Sequence, residues 1–330
     1  MLDGYDKRIG PPLTPPGRAD APDRTARQRA GHDLVAYGAL TTAAALYGGG
    51  AIAVKVALLY LPALTAATVR FLLTCAILAA LVAALPRFRG PWPARRDVPA
   101  LVLLGATGVA MFHVCYFAGL QFTTASEGAL FASSSPLLTL LLAAALGHER
   151  LSLGRAIGAV VSVVGMAFVA FGAGTVGEAR NRLLGDAILL GAALGWAIYT
   201  LAVRRVTRRY SGLMITFWGA VVGTLLILPG GLWQAGDWHG NLLALPFWLA
   251  ILYLACGTSI VAYLCWIAGV QRIGPSRTSV FINLSPALAL LFAALFWGER
   301  LTRVQLLGVA LVLLGLYVVN QRPSAVDASA

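Results

Sequence analysis

Charge is scarce in this chain. Only 12% of its 330 residues are Asp, Glu, Lys or Arg, about half of what a soluble domain carries. So few charges cannot coat a soluble protein of this size, and a hydrophobic share of 59% would leave large adhesive patches in water. Histidine and cysteine are rare as well, four of each. Cys75, Cys115, Cys256 and Cys265 all stand inside apolar runs without Cys-x-x-Cys spacing, so no metal and no disulfide framework is expected. No nucleophile with a paired base and no Gly-x-x-x-x-Gly-Lys-Ser/Thr phosphate loop occurs, which excludes an ATP-driven pump unless another chain supplies the energy. An enzyme embedded in the membrane would need His, Asp or Glu clustered at one face, and the sequence offers none. No enzyme activity and no cofactor are expected.

What the sequence has in quantity is apolar runs. Ten of them, near 34–54, 62–85, 98–120, 125–146, 152–172, 183–203, 212–232, 243–270, 276–296 and 302–320, are each about the 20 residues that a bilayer-spanning helix requires. An all-α integral membrane protein follows, with the lipid bilayer as its solvent. The net charge of +12 would suggest nucleic acid in a soluble protein. Here the basic residues lie between the apolar runs, which is the pattern of membrane topology, so no nucleic-acid partner is expected. With the N-terminus inside, 19 Lys and Arg fall on the cytoplasmic side and five on the other, with Arg70 within a span; both termini are expected to be cytoplasmic. Residues 1–32, rich in Pro, Arg, Asp and Gly and without a secretory signal, are expected to be disordered.

The chain repeats itself. From Cys115 to Gly165 and from Cys265 to Gly315 the same spelling recurs at an offset of 150 residues, including Ser135-Pro136 with Ser285-Pro286 and Glu149-Arg150-Leu151 with Glu299-Arg300-Leu301. This divides the chain into a first repeat, 33–173, a second, 183–320, and a cytoplasmic tail, 321–330. Five spans per copy is odd, so the second copy must sit inverted in the membrane. Two inverted five-helix repeats are the architecture of secondary transporters, with a binding site near the midplane between them.

The pattern Pro136, Ala143, Ala144, Gly147, Glu149, Arg150, Leu151, its second copy from Pro286 to Leu301, and Val69-Arg70-Phe71 resemble the drug/metabolite transporter superfamily, specifically proteins with two EamA domains. The resemblance covers about 34–320. It implies a basket of ten helices, with the cavity lined by helices 1, 3, 4, 6, 8 and 9 and with helices 5 and 10 as scaffold or homodimer surface. It further implies a small-molecule solute as partner, mostly exported amino acids and metabolites, with import as an alternative, and a structural role for Arg70. The family's first helix often reads Trp-Gly-Ser-Asn, where this chain has Tyr47-Gly48-Gly49-Gly50. Two hydrogen-bonding side chains are thereby missing, which argues against a strongly polar solute. A non-transporting scaffold or sensor would instead have its cavity filled with Leu and Phe.

Candidate solute-binding residues follow from depth. Tyr47 lies about 20 Å along helix 1, and Trp196 and Tyr199 at a similar depth in helix 6; aligning Tyr47 with Trp196 makes them counterparts at an offset of 149. With Gly49 they read as an aromatic floor approached by bare backbone, or as packing residues. His113 and Tyr116 on helix 3 match Tyr263 and Trp266 on helix 8, placed where paired gates would be. His113 reads either as a proton-responsive group or as a neutral hydrogen-bonded histidine. Ser133 and Asn283 are counterparts that could offer donors to a solute, and Pro136 and Pro286, about 11 residues into helices 4 and 9, read as hinges that kink their helices near the midplane. Glu127 and its counterpart Arg277 are expected to reach water on opposite sides. Thr302 with Gln305 has capping-box spacing, which marks a helix start.

Overall fold

A computed structural model describes residues 21–84, 92–120, 122, 131, 133–148, 152–171, 181–238, 240–297 and 301–321. Glu127, Glu149, Arg150, Glu299 and Arg300 lie outside the described residues, as do 1–20 and 322–330. Among the described residues the chain forms ten helices and no strand. Seven helices are long and apolar enough to cross a membrane.

Helix α1 runs from Ala21 to Leu58, starting well before the expected residue 34. The extra length is physically reasonable: Ala, Arg and Gln dominate 21–30, and Pro22 sits in the first turn, where its missing N–H is no loss. Next come α2 (Ala63–Ala84) and α3, made of Val98–Gly105, a π-helical stretch Ala106–Met111, and Phe112–Leu120. The described part of α4 is Ser135–Ala145, and α5 is Leu153–Phe171. The second half mirrors this order, with α6 (Arg182–Val206), α7 (Gly212–Trp233) and α8. Helix α8 is Leu245–Leu252, a π-helical stretch Tyr253–Val261, and Ala262–Ile273. In α9, Pro275–Ser279 and Leu284–Trp297 flank a 3₁₀ stretch, Val280–Asn283; α10 is Arg303–Asn320. The capping box expected at its start is formed: Gln305 N donates to Thr302 Oγ1 at 3.2 Å, and Thr302 N donates to Gln305 Oε1 at 2.9 Å.

Both prolines stand next to breaks in the regular α-helical pattern. Pro136 stands in the first turn of the described α4, after the turn at Ser133–Ser134, and Pro286 follows the 3₁₀ stretch of α9. Proline offers no N–H to the carbonyl four residues back. In both copies the chain responds with an interruption: Ser134 O accepts from Leu137 N in α4, and Val280–Asn283 tightens in α9.

The largest contacts between helices, among the described residues, have counterparts under exchange of the halves. Helix α1 packs on α8 and α9, and α6 on α3 and α4; α2 packs on α7 and α5 on α10. Self-paired contacts reveal the pseudo-two-fold axis. A Cβ on Gly158 would meet Gly315 O at 2.9 Å, and one on Gly165 would meet Gly308 O at 2.8 Å. Gly308 and Gly315 are the counterparts of Gly158 and Gly165, so α5 and α10 cross antiparallel with backbones nearly touching, as small residues permit inside a bilayer. When α2 and α7 are aligned by their starts, Cys75 corresponds to Thr224, and the two touch at 3.5 Å. At one membrane-facing end, Asp97, in the turn before α3, accepts from Tyr210 Oη at 2.9 Å and pairs with Arg209, tying that turn to the α6–α7 connection.

Candidate functional site

Where α1, α3, α6 and α8 meet, the axis passes through an aromatic box. Tyr47 and Trp196, the expected counterparts, meet edge to face with ring centroids 6.1 Å apart. Trp196 also contacts Tyr199 (5.3 Å), Tyr263 (5.6 Å) and Trp266 (5.3 Å), and Tyr47 reaches Trp266 at 6.5 Å. These residues come from three helices, α1, α6 and α8, with rings at i, i+3 spacing in Trp196/Tyr199 and Tyr263/Trp266. Phe112, which the sequence reading missed, joins the box to α3: it lies 5.4 Å from Trp196 and stacks on Tyr116 at 5.9 Å. Its i, i+4 spacing to Tyr116 was the available signal.

The box is apolar in its walls and unsatisfied in its polar tips. Trp266 Nε1 donates to Thr200 Oγ1 at 3.2 Å, and Tyr263 Oη donates to Gly108 O at 2.8 Å. Tyr47 Oη, Tyr199 Oη and Trp196 Nε1 are buried with no partner among the described residues. So are Ser135 Oγ on α4, which packs on α6, and Asn283 Oδ1 on α9, which packs on α1. The Asn283 amide is oriented by its Nδ2, which donates to Ser162 Oγ at 2.8 Å; its counterpart Ser133 is buried too. Buried polar atoms are nearly always hydrogen-bonded, because each one left unpaired costs about 1–3 kcal/mol. The three in the box, Tyr47 Oη, Tyr199 Oη and Trp196 Nε1, are bonding capacity that a bound molecule could use.

A second polar feature adjoins the box across Phe112, whose ring lies 5.1 Å from that of His113. Arg70, only 8% exposed, extends from α2 with Nε 3.1 Å from Ser259 Oγ and Nη2 3.1 Å from His113 Nε2. The guanidinium has no lone pair, so His113 Nε2 accepts; Val109 O, 2.7 Å from Nδ1, can only accept, so Nδ1 carries the proton. These bonds define a neutral imidazole with both nitrogens engaged. Of the two readings open for His113, the geometry matches the neutral one. Ser259 carried no signal in the sequence; it is the counterpart of Val109, an apolar residue.

Three further expectations change. Gly48, Gly49 and Gly50 do not face an open cavity: a Cβ on each would meet Ser285 O at 2.7 Å, Tyr253 Oη at 2.5 Å and Thr258 Cγ2 at 2.8 Å respectively. They are contacts of α1 with α9 and α8, so Gly49 is a packing residue. His113 and Tyr116 both touch Phe112, and His113 also holds Arg70 and meets Phe71. Tyr263 and Trp266 belong to the central box instead of a separate gate. Arg277 donates to Gln321 O at 3.3 Å, at the end of α10.

Comparison with known proteins bears on what such a site serves. The model of the EamA-like transporter family matches residues 34–171 and 183–321. An uncharacterized transporter of Bacillus subtilis, YetK, is 27% identical over 89% of this chain and 89% of its own. A probable amino-acid metabolite efflux pump of Salmonella typhimurium is 28% identical over 83% of this chain and 90% of its own. A solved crystal structure superimposes with a TM-score of 0.72 at 24% identity, covering 86% of this chain and 97% of that one, which supports the fold.

Proposed function

Since this chain belongs to the EamA-like transporter family and is a multi-pass membrane transporter of a small-molecule solute, we propose that it is a secondary exporter of small amphipathic, amino-acid-like solutes. It works by alternating rocking of the repeats 33–173 and 183–320 in the cell (inner) membrane, with both termini cytoplasmic. The observation that carries this reading is the aromatic box on the pseudo-two-fold axis with its unpaired polar tips, Tyr47 Oη, Tyr199 Oη and Trp196 Nε1. A solute with an apolar body and one or two polar groups would fill the first requirement and satisfy the second. Export is favoured by the name of the Salmonella relative, and the orientation by the 19 to five distribution of Lys and Arg. A homodimer would use the outward apolar faces of α5 and α10, such as Ile157, Val164, Leu307 and Leu314.

Trp196→Ala is the test. It should abolish efflux of amino acids from preloaded cells while the amount of inserted protein stays unchanged. Efflux at the unaltered rate would sink the assignment of the box.

A further inference from the structure

We propose that Arg70 is the docking point for a carboxylate group on the solute. This rests on the solute-binding reading above and sharpens it to a substrate class, apolar monocarboxylates. Arg70 is 8% exposed and bears a charge that a guanidinium does not give up. A charge held out of water is normally paired with an opposite one, yet among the described residues no carboxylate contacts Arg70. Its neighbours are neutral: Ser259 Oγ on Nε, His113 Nε2 on Nη2, and the Phe71 ring 4.5 Å from Cζ. Among the described residues, Nη1 has no hydrogen-bond partner. The bonds to Ser259 and His113 aim the guanidinium, in the manner of groups that position a binding residue.

Arg70 lines a small cleft, which a solute would have to widen, whose other walls include Val54, Ala57, Ala63, Ala66, Phe117 and Leu254. It is the one charged group in an apolar wall, which is the complement of an anionic head on an apolar body. With Nε and one N–H of Nη2 committed, the guanidinium keeps the edge formed by Nη1 and the second N–H of Nη2. That suits a monoanionic carboxylate better than a phosphate dianion, which calls for more donors. Phe112 lies between His113, which holds Arg70, and Trp196 of the aromatic box.

The test uses the purified full chain in detergent and four carboxylates of increasing apolar size: acetate, butyrate, benzoate and N-acetyl-L-phenylalanine. Each is compared with its own amide, and apparent affinity is read from the concentration dependence of the unfolding temperature. At least one carboxylate should raise that temperature saturably, and its amide should bind at least about tenfold more weakly, as expected for a lost charge-assisted hydrogen bond. Arg70→Gln should bind acid and amide alike. The proposal is overturned if no carboxylate stabilises the unaltered chain, or if acid and amide stabilise it equally. The acid and amide comparison stands even where Arg70→Gln fails to fold. Equal binding of acid and amide would leave the solute-binding box intact, whereas unchanged efflux in Trp196→Ala alongside an acid preference would remove the box and keep Arg70.

Discussion

A methyl group added at Gly315 has nowhere to go. Its Cβ would lie 2.5 Å from Gly158 O, 2.6 Å from Ser162 N and 2.7 Å from Ser162 Cβ. Two of these atoms are main chain and cannot rotate aside, so α5 and α10 would have to part by roughly 0.7–0.9 Å to reach ordinary contact distance. The parting would spread to the Gly158, Gly165 and Gly308 contacts along the same seam, and overpacking of this kind costs about 1–3 kcal/mol. Part of the cost is masked, because alanine is favoured over glycine within a helix by about 1 kcal/mol. Gly38→Ala supplies the reference. It also lies within a helix, and a Cβ there would meet nothing within 4 Å. The propensity gain is common to both variants, so the difference between them isolates the packing cost, about 1–3 kcal/mol with Gly315→Ala the less stable. Unfolding of both purified variants in the same detergent measures it. Equal stability would refute the packing account of the α5–α10 seam.

Two further outcomes follow from single contacts. Tyr199→Phe removes a buried hydroxyl that has no partner, so the protein should unfold no more easily, and up to about 1–3 kcal/mol less easily, while amino-acid efflux falls; a loss of stability would mean that the hydroxyl is bonded within the protein. Asp97 lies in the turn before the apolar part of α3, and the Tyr210 hydroxyl, aided by Arg209, holds its carboxyl below the usual carboxylate range. Its stabilisation is therefore fully present above the usual carboxylate range and is lost as pH falls through the depressed value. The stability gap between the unaltered chain and Asp97→Asn should be constant near neutral pH and close in acid; a gap that widens in acid would reverse the sign of this reasoning.

The repeat, the number of helices and the capping box at Thr302 were legible because each rests on local spelling or on length. The box was legible in most of its members, since Tyr47, Trp196, Tyr199, Tyr263 and Trp266 combine mid-span depth with large side chains that need a polar outlet. What escaped was the identity of neighbours. Helical period says which residues share a face and nothing about what the face meets, so Gly48–Gly50 read equally as cavity and as packing. In a bilayer, apolar side chains line both lipid and core, which removes the amphipathic contrast that orients a helix in a soluble protein. Arg70 was read as structural because the resemblance implied it, and nothing in the sequence could show that Ser259 and His113 occupy two of its nitrogens and leave the third.

Under the alternating access proposed above, contacts on the pseudo-two-fold axis would behave differently from all others when the halves exchange shapes. A contact away from the axis that is closed on one side of the membrane must open when its mirror image closes on the other. A pair that is its own image, such as Cys75 with Thr224 or Tyr47 with Trp196, is mapped onto itself and can persist throughout. Such pairs act as the fulcrum of a balance. Under the proposed rocking, the difference in size and polar tips between Tyr47 and Trp196 would leave the two pans unequal even when empty, and so bias the resting access state before any solute arrives.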